Sequence, residues 1–312
     1  MSLNNQPVRG IIPVLCVIIS SIVFIGIGQG TFGINPDMLS VYALFFVWTA
    51  FIVSLARNWP LENVRQPLRG ITYLVICLVI GVLHPLVISW LGYGSETYWP
   101  LISNLFLGIG IIIAFDNPFV NGFSQPKAVF FNALFCYVFA IILMLGYGFV
   151  PSIWFAMFVY YFFWVEKWPL QQVAQPVKGI LAFIVLGFLS LIFWQAYNTA
   201  GTSFFKPEGG LFFVLLVWWL VMFSWNLETW PTQKIDQPIK GIIGLMISLV
   251  LTGISYEVIL KVLVIDPGTA GSIVWIFVSW LYTWDIVLAK WPADQSSGIN
   301  HSSELTESTN MA

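Results

Sequence analysis

The stretch EKWPLQQVAQPVKG, residues 166–179, is a polar island between two apolar runs. It returns as RNWPLENVRQPLRG at residues 57–70 and as ETWPTQKIDQPIKG at residues 228–241. In all three copies the Gln of Gln-Pro follows the Trp of Trp-Pro by seven residues. Gln-Pro stands at Gln6, Gln66, Gln125, Gln175 and Gln237, at intervals of 60, 59, 50 and 62 residues. Trp-Pro stands at Trp59, Trp168, Trp230 and Trp291, and Asn117-Pro118 fills the remaining place. Spacing this regular marks an internal repeat whose unit is Gln-Pro, helix, short turn, helix, Trp-Pro.

The runs between the islands define the solvent. Of the 312 residues, 59% are hydrophobic and only 8% charged, with a mean hydropathy of +0.88. A water-facing domain carries about a quarter charged residues, so lipid is expected to solvate much of this chain. A span needs about 20 apolar residues, and that window selects ten segments: 11–32, 39–56, 70–92, 99–115, 128–149, 151–166, 178–198, 209–227, 240–264 and 271–289. They lack the period-2 alternation of a membrane barrel, so helices are expected. The expected fold is an all-α integral membrane protein of ten transmembrane helices built as five parallel two-helix repeats. These run approximately over 6–60, 66–118, 125–169, 175–231 and 237–292 within a single domain, residues 1–292. Residues 293–312 are polar and read as a disordered cytoplasmic tail. The first apolar run lacks a small-residue cleavage site and reads as a span rather than a signal peptide.

Each connector stops one helix and starts the next. Proline cannot continue a helix but is welcome at its first position, and the Trp indole suits the headgroup boundary. Ten of the 12 basic residues lie on the connector side: Arg9, Arg57, Arg65, Arg69, Lys127, Lys167, Lys178, Lys234, Lys240 and Lys290. Lys206 and Lys261 lie on the other. The positive-inside rule then places connectors and both termini in the cytoplasm, with the chain in the cell membrane.

Polar groups at membrane depth are candidates for function. His84, followed by Pro85, lies deep in the third span, where a proline would kink the helix beside a titratable ring. Glu257 and Lys261 are four apart, the better orientation for an ion pair on one helix face. Gln195 and Glu257 each follow a connector Gln by 20 residues, and so occupy equivalent positions. Asp285 is the deepest acid from the connector side. Trp48, Trp219 and Trp280 each precede a connector Pro by twelve residues, and read as packing bulk or as the wall of an aromatic cage. Asp116, Glu166 and Glu228 close even-numbered helices and read as partners for connector lysines. The repeated Leu-Gly-Tyr-Gly at residues 91–94 and 145–148 reads as a helix exit, since no pore helix precedes it. Cys16, Cys77 and Cys136 lie inside apolar runs and suggest neither disulfide nor metal.

These features give a permease or channel for a small solute or ion as the expected function, with His84, Gln195, Glu257 and Asp285 along the pathway. The alternative is a non-catalytic membrane subunit or scaffold of a partner complex. No catalytic constellation, phosphate loop, metal site or cofactor motif is found, so no enzyme is expected. The expected partners are the lipid bilayer, a small solute or ion, and a homo-oligomer or membrane partner. Nothing points to nucleic acid.

Overall fold

A computed structural model describes residues 8–146, 153–200 and 209–288. Gln6, Lys206, Lys290, Trp291, the last two residues of the second Leu-Gly-Tyr-Gly and the polar tail lie outside these residues. Among the described residues the ordered structure is helical and contains no strand. The main helices are α1 (Val8–Phe32), α2 (Pro36–Leu55), α3 (Leu68–Trp90), α4 (Tyr98–Ala114), α5 (Gln125–Gly146), α6 (Ile153–Val159), α7 (Val177–Ala200), α8 (Gly209–Val221), α9 (Ile239–Glu257) and α10 (Pro267–Tyr282). Helices α6, α8, α9 and α10 each run on into one π-helical turn, at Tyr160–Trp164, Met222–Asn226, Val258–Val262 and Thr283–Val287.

Among the described residues, six helices are long and apolar enough to cross a membrane: Pro13–Phe32, Pro36–Leu55, Leu68–Trp90, Gln125–Leu145, Ile239–Val262 and Pro267–Val287. Three shorter apolar helices, Tyr98–Ala114, Val177–Ile192 and Gly210–Asn226, accompany them. The chain is therefore helical with a membrane-compatible surface.

Burial sorts the helices into two layers. In α2 and α10, 72% and 61% of the apolar window is buried. In α1, α3, α5 and α9 the share is only 17%, 28%, 22% and 22%. The even-numbered helices form the inner layer and pack in sequence, α2 on α4, α4 on α6, α6 on α8 and α8 on α10, and α10 closes on α2. The odd-numbered helices lie outside. Helix α3 rests against α2 and the end of α10, α5 against α4 and α2, α7 against α6 and α4, and α9 against α8 and the end of α6. Their outward residues, such as Ile19, Val79, Ile142, Ile184 and Val250, are large, apolar and exposed. Water would penalise that surface and hydrocarbon does not.

Each outer helix buries a narrow stripe at one register. Counting from the connector Gln, the residues at +7, +11 and +15 are buried in all five: Pro13, Val17 and Ser21; Tyr73, Cys77 and Gly81; Asn132, Cys136 and Ala140; Ala182, Leu186 and Ser190; Gly244, Ser248 and Thr252. A four-residue step runs along one ridge of the helix surface. Most of these side chains are small, so backbones approach closely, as membrane helices favour. A Cβ on Gly81 would lie 2.9 Å from the Phe46 backbone nitrogen. One on Gly244 would lie 2.1 Å from the ring of the fully buried Trp164.

Candidate functional site

The axis enclosed by the inner helices is filled. Phe51 of α2, Phe106 of α4, Phe163 after α6, Trp225 after α8 and Tyr282 of α10 come from five helices. Phe51 meets Phe106 at 6.2 Å, Trp225 at 6.2 Å and Tyr282 at 5.1 Å between ring centroids. Trp225 meets Tyr282 at 4.6 Å and Phe163 at 4.7 Å. In the order of packing, α2 and α8 are not neighbours, so the Phe51–Trp225 contact crosses the interior from side to side. An aromatic cluster of this kind gains its edge-to-face energy in addition to burial.

The polar candidates occupy separate places. The His84 ring stacks on Phe45 at 4.9 Å and on Tyr137 at 6.0 Å, and meets Trp48 edge-on at 5.5 Å. Its Nδ1 lies 2.8 Å from the Ile80 carbonyl, which makes that nitrogen the donor. Helix α3 runs on through Pro85 to Trp90, and the Tyr98 hydroxyl donates to the Pro85 carbonyl at 3.3 Å. His84 therefore sits in an aromatic seam between α2, α3 and α5. Gln195, on α7, is exposed. Glu257 is also exposed and pairs with Lys261 as its spacing predicts. Asp285 is half-buried in the π turn after α10, toward the connector end. His84, Gln195 and Glu257 stand on three separate outer helices, α3, α7 and α9.

Nor do the three tryptophans meet. Trp48 faces His84 and Tyr137. Trp219 donates to Ser255 Oγ at 3.1 Å. Trp280 packs on Phe24 and Phe46. Counting from the connector Pro treats the three as one position, but the π turns after α8 and α10 insert one residue that α2 lacks. One residue is about 100° of helix rotation, so an equal count sets Trp48 on a different face from Trp219 and Trp280.

The connectors are where the geometry repeats. In each complete copy both X-Pro bonds are cis. Pro67 and Pro238 stand at the N-caps of α3 and α9, one residue ahead of the expected first helical position. The chain leaves the inner helices through paired left-handed residues, Arg57–Asn58, Asp116–Asn117, Glu166–Lys167 and Glu228–Thr229. The second amide of each pair returns to an inner-helix carbonyl, that of Val53, Ile112, Tyr161 or Phe223, which closes the helix end.

The connector glutamine then joins two helix ends at once. Gln175 Oε1 accepts from the Gly179 amide at 3.2 Å while its Nε2 donates to the Ala114 carbonyl at 3.0 Å. Gln237 does the same with Gly241 and the Trp164 carbonyl at 3.2 and 2.6 Å, and Gln66 with Gly70 and the Val287 carbonyl at 2.9 and 3.1 Å. Helix starts lack partners for their amides and helix ends for their carbonyls, and an amide side chain supplies an acceptor and a donor on separate atoms. At the end of α2, Asn117 Nδ2 donates to the Leu55 carbonyl instead, at 2.6 Å.

Ion pairs reinforce two of these joints. Three residues after the Gln, Lys178 reaches Asp116 at 3.0 Å and Lys240 reaches Glu166 at 2.5 Å. Asp116 also holds Lys167 at 2.6 Å. Burial alone would raise the Asp116 pKa, but hydrogen bonds from Lys167, Gln175 and Lys178 and the charge of Lys167 outweigh it and hold the carboxyl at about 2. Sequence reasoning foresaw these carboxylates as partners of connector lysines. It missed the +7, +11, +15 stripe, although the recurrence of small residues at that register was available as a signal.

Compared with protein-family models, curated proteins and solved structures, the chain matches none of them.

Proposed function

We propose that this protein is a non-catalytic membrane scaffold, a subunit that holds a partner chain within the bilayer. In this reading five hairpin repeats and ten spans form a closed ring, with connectors and both termini on the cytoplasmic side. The single observation that carries it is the Phe51–Trp225 contact across the interior. A solute path needs polar or hydrated walls, because an unsolvated ion in an apolar interior is very costly. The axis here is aromatic, and Gln195 and Glu257 face outward. The repeated Gln joints and ion pairs support a rigid ring rather than an opening one.

A permease or channel is the second reading, favoured by one observation: the inner helices close around an axis blocked by side chains alone, so rotamer changes at Phe51 and Trp225 would suffice to open it. Proteoliposomes decide between the two. Ion, proton and small-solute flux is expected to equal that of empty liposomes for wild type and for Phe51→Ala with Trp225→Ala. Intact-complex mass measurement after extraction from native membrane is expected to show an additional chain. Flux above background in wild type, abolished or raised by the aromatic substitutions, would overturn the scaffold and install the channel.

A further inference from the structure

At the joints of α4 with α7 and of α6 with α9, a carboxylate at the helix end meets a lysine three residues after the connector Gln. The same backbone recurs where the charges do not. Gln66 grips the Val287 carbonyl as Gln175 and Gln237 grip theirs. Arg69 therefore stands where Lys178 and Lys240 stand. The sequence position corresponding to Asp116 and Glu166 on that fifth hairpin is Ala289, which carries no charge. At the end of α2 the exchange is more extreme. Arg57, with φ 55°, has the left-handed conformation of Asp116 and Glu166, both at 54°, so a cation replaces the anion, and the residue two after the facing Gln125 is Lys127.

Both defects border one connector. Residues 57–69 carry Arg57, Arg65 and Arg69 against the single carboxylate Glu62. Arg57, Arg65 and Lys127 are exposed and Arg69 half-exposed, and no ion pair joins these four to another described residue. The half-buried Trp59 and the exposed Trp168 and Trp230 mark this as the end of the molecule suited to headgroup depth.

We propose that phosphates of anionic phospholipid headgroups occupy this sector, supplying at Arg57 and at Arg69 the negative charge that Asp116 and Glu166 supply elsewhere. The guanidinium fork matches phosphate oxygens bidentately. An acyl-anchored phosphate is concentrated at the depth where these side chains stand. This rests on the reading of the protein as a bilayer-embedded ring, but not on whether it conducts.

The test uses full-length protein in nanodiscs of phosphatidylcholine doped with either phosphatidylglycerol or further phosphatidylcholine, with lipids retained after mild detergent exchange counted by native mass spectrometry. Phosphatidylglycerol is expected to be retained in excess, with affinity falling about fivefold for each arginine neutralised, in Arg69→Gln and Arg57→Gln. Arg57→Glu restores the missing acid beside Lys127 and is expected to abolish the excess, while Lys178→Gln, at an already paired joint, leaves it unchanged. Size-exclusion profiles show which variants remain folded. Equal retention of both lipids, or no change on Arg57→Glu in folded protein, would overturn the site. Displacement by millimolar inorganic phosphate would overturn the lipid as its occupant. Flux in the proteoliposome assay would overturn the scaffold while leaving this result standing.

Discussion

Adding one methyl group at Gly244 tests the two-layer packing directly. The new Cβ would stand 2.1 Å from Cε3 and Cζ3 of Trp164, whereas carbon atoms in contact prefer about 3.5–4.0 Å. Trp164 would have to retreat by more than about 1 Å. It is fully buried, and its Nε1 donates to the Leu220 carbonyl at 3.0 Å, so movement also weakens a hydrogen bond between α6 and α8. Overpacking of this kind costs about 1–3 kcal/mol; 2 kcal/mol is about a 30-fold change in the folding equilibrium. Gly187 on α7 is the control, because a Cβ there meets nothing within 4 Å. Gly187→Ala should stabilise the helix by about 0.5–1 kcal/mol. The assay is unfolding in mixed micelles, followed by Trp fluorescence. Trp164→Phe in the Gly244→Ala background removes the crowding ring atoms and should recover part of the loss, though not the Leu220 hydrogen bond. If Gly244→Ala and Gly187→Ala shift stability alike, α9 does not seat its small-residue stripe on Trp164 and the packing argument fails.

Other outcomes follow from the joints and the exposed pair. Gln237→Ala should destabilise by about 1–3 kcal/mol through an orphaned helix-end carbonyl, more than the Lys240→Gln and Glu166→Gln pair, whose coupling in a double-mutant cycle should stay under about 1 kcal/mol because Glu166 is half-exposed. Asp116 is held below its ordinary 3.8, at about 2, so its contribution is present above pH 4 and is lost as pH falls through 2. Asp116→Asn should flatten unfolding free energy across that window, and an unchanged slope would remove Asp116 as its source. Glu257→Gln should change stability by less than about 0.5 kcal/mol, since both members of its pair are largely exposed; a larger loss in the same unfolding assay would mean that the pair is buried against a partner.

The joints explain why the connector varies in charge but not in its glutamine. A buried helix end tolerates loss of an exposed ion pair, which is worth little, but an unsatisfied carbonyl is costly. So Lys178 and Lys240 give way to Arg69, and Asp116 and Glu166 give way to Arg57, while Gln66, Gln175 and Gln237 each keep both hydrogen bonds.

By itself the sequence determined what depends on local chemistry. Apolar run length, proline at helix boundaries and the spacing of Gln-Pro to Trp-Pro gave helices close to the observed ones, for example 39–56 against Pro36–Leu55 and 70–92 against Leu68–Trp90. The Glu257–Lys261 pair was legible because four residues along one helix fix the neighbour without any fold. Tertiary structure alone decided which helices lie inside and what fills their centre. The exposed α1 and the buried α2 are equally apolar, so hydropathy does not separate an exposed helix from a buried one. The decision comes from small residues at +7, +11 and +15, which let the outer helices approach, and from large ones such as Phe51, Trp225 and Tyr282, which occupy the space enclosed. It also set the face of Trp48 apart from those of Trp219 and Trp280, because one residue inserted by a π turn rotates everything before it, and counting along the chain carries no record of that rotation.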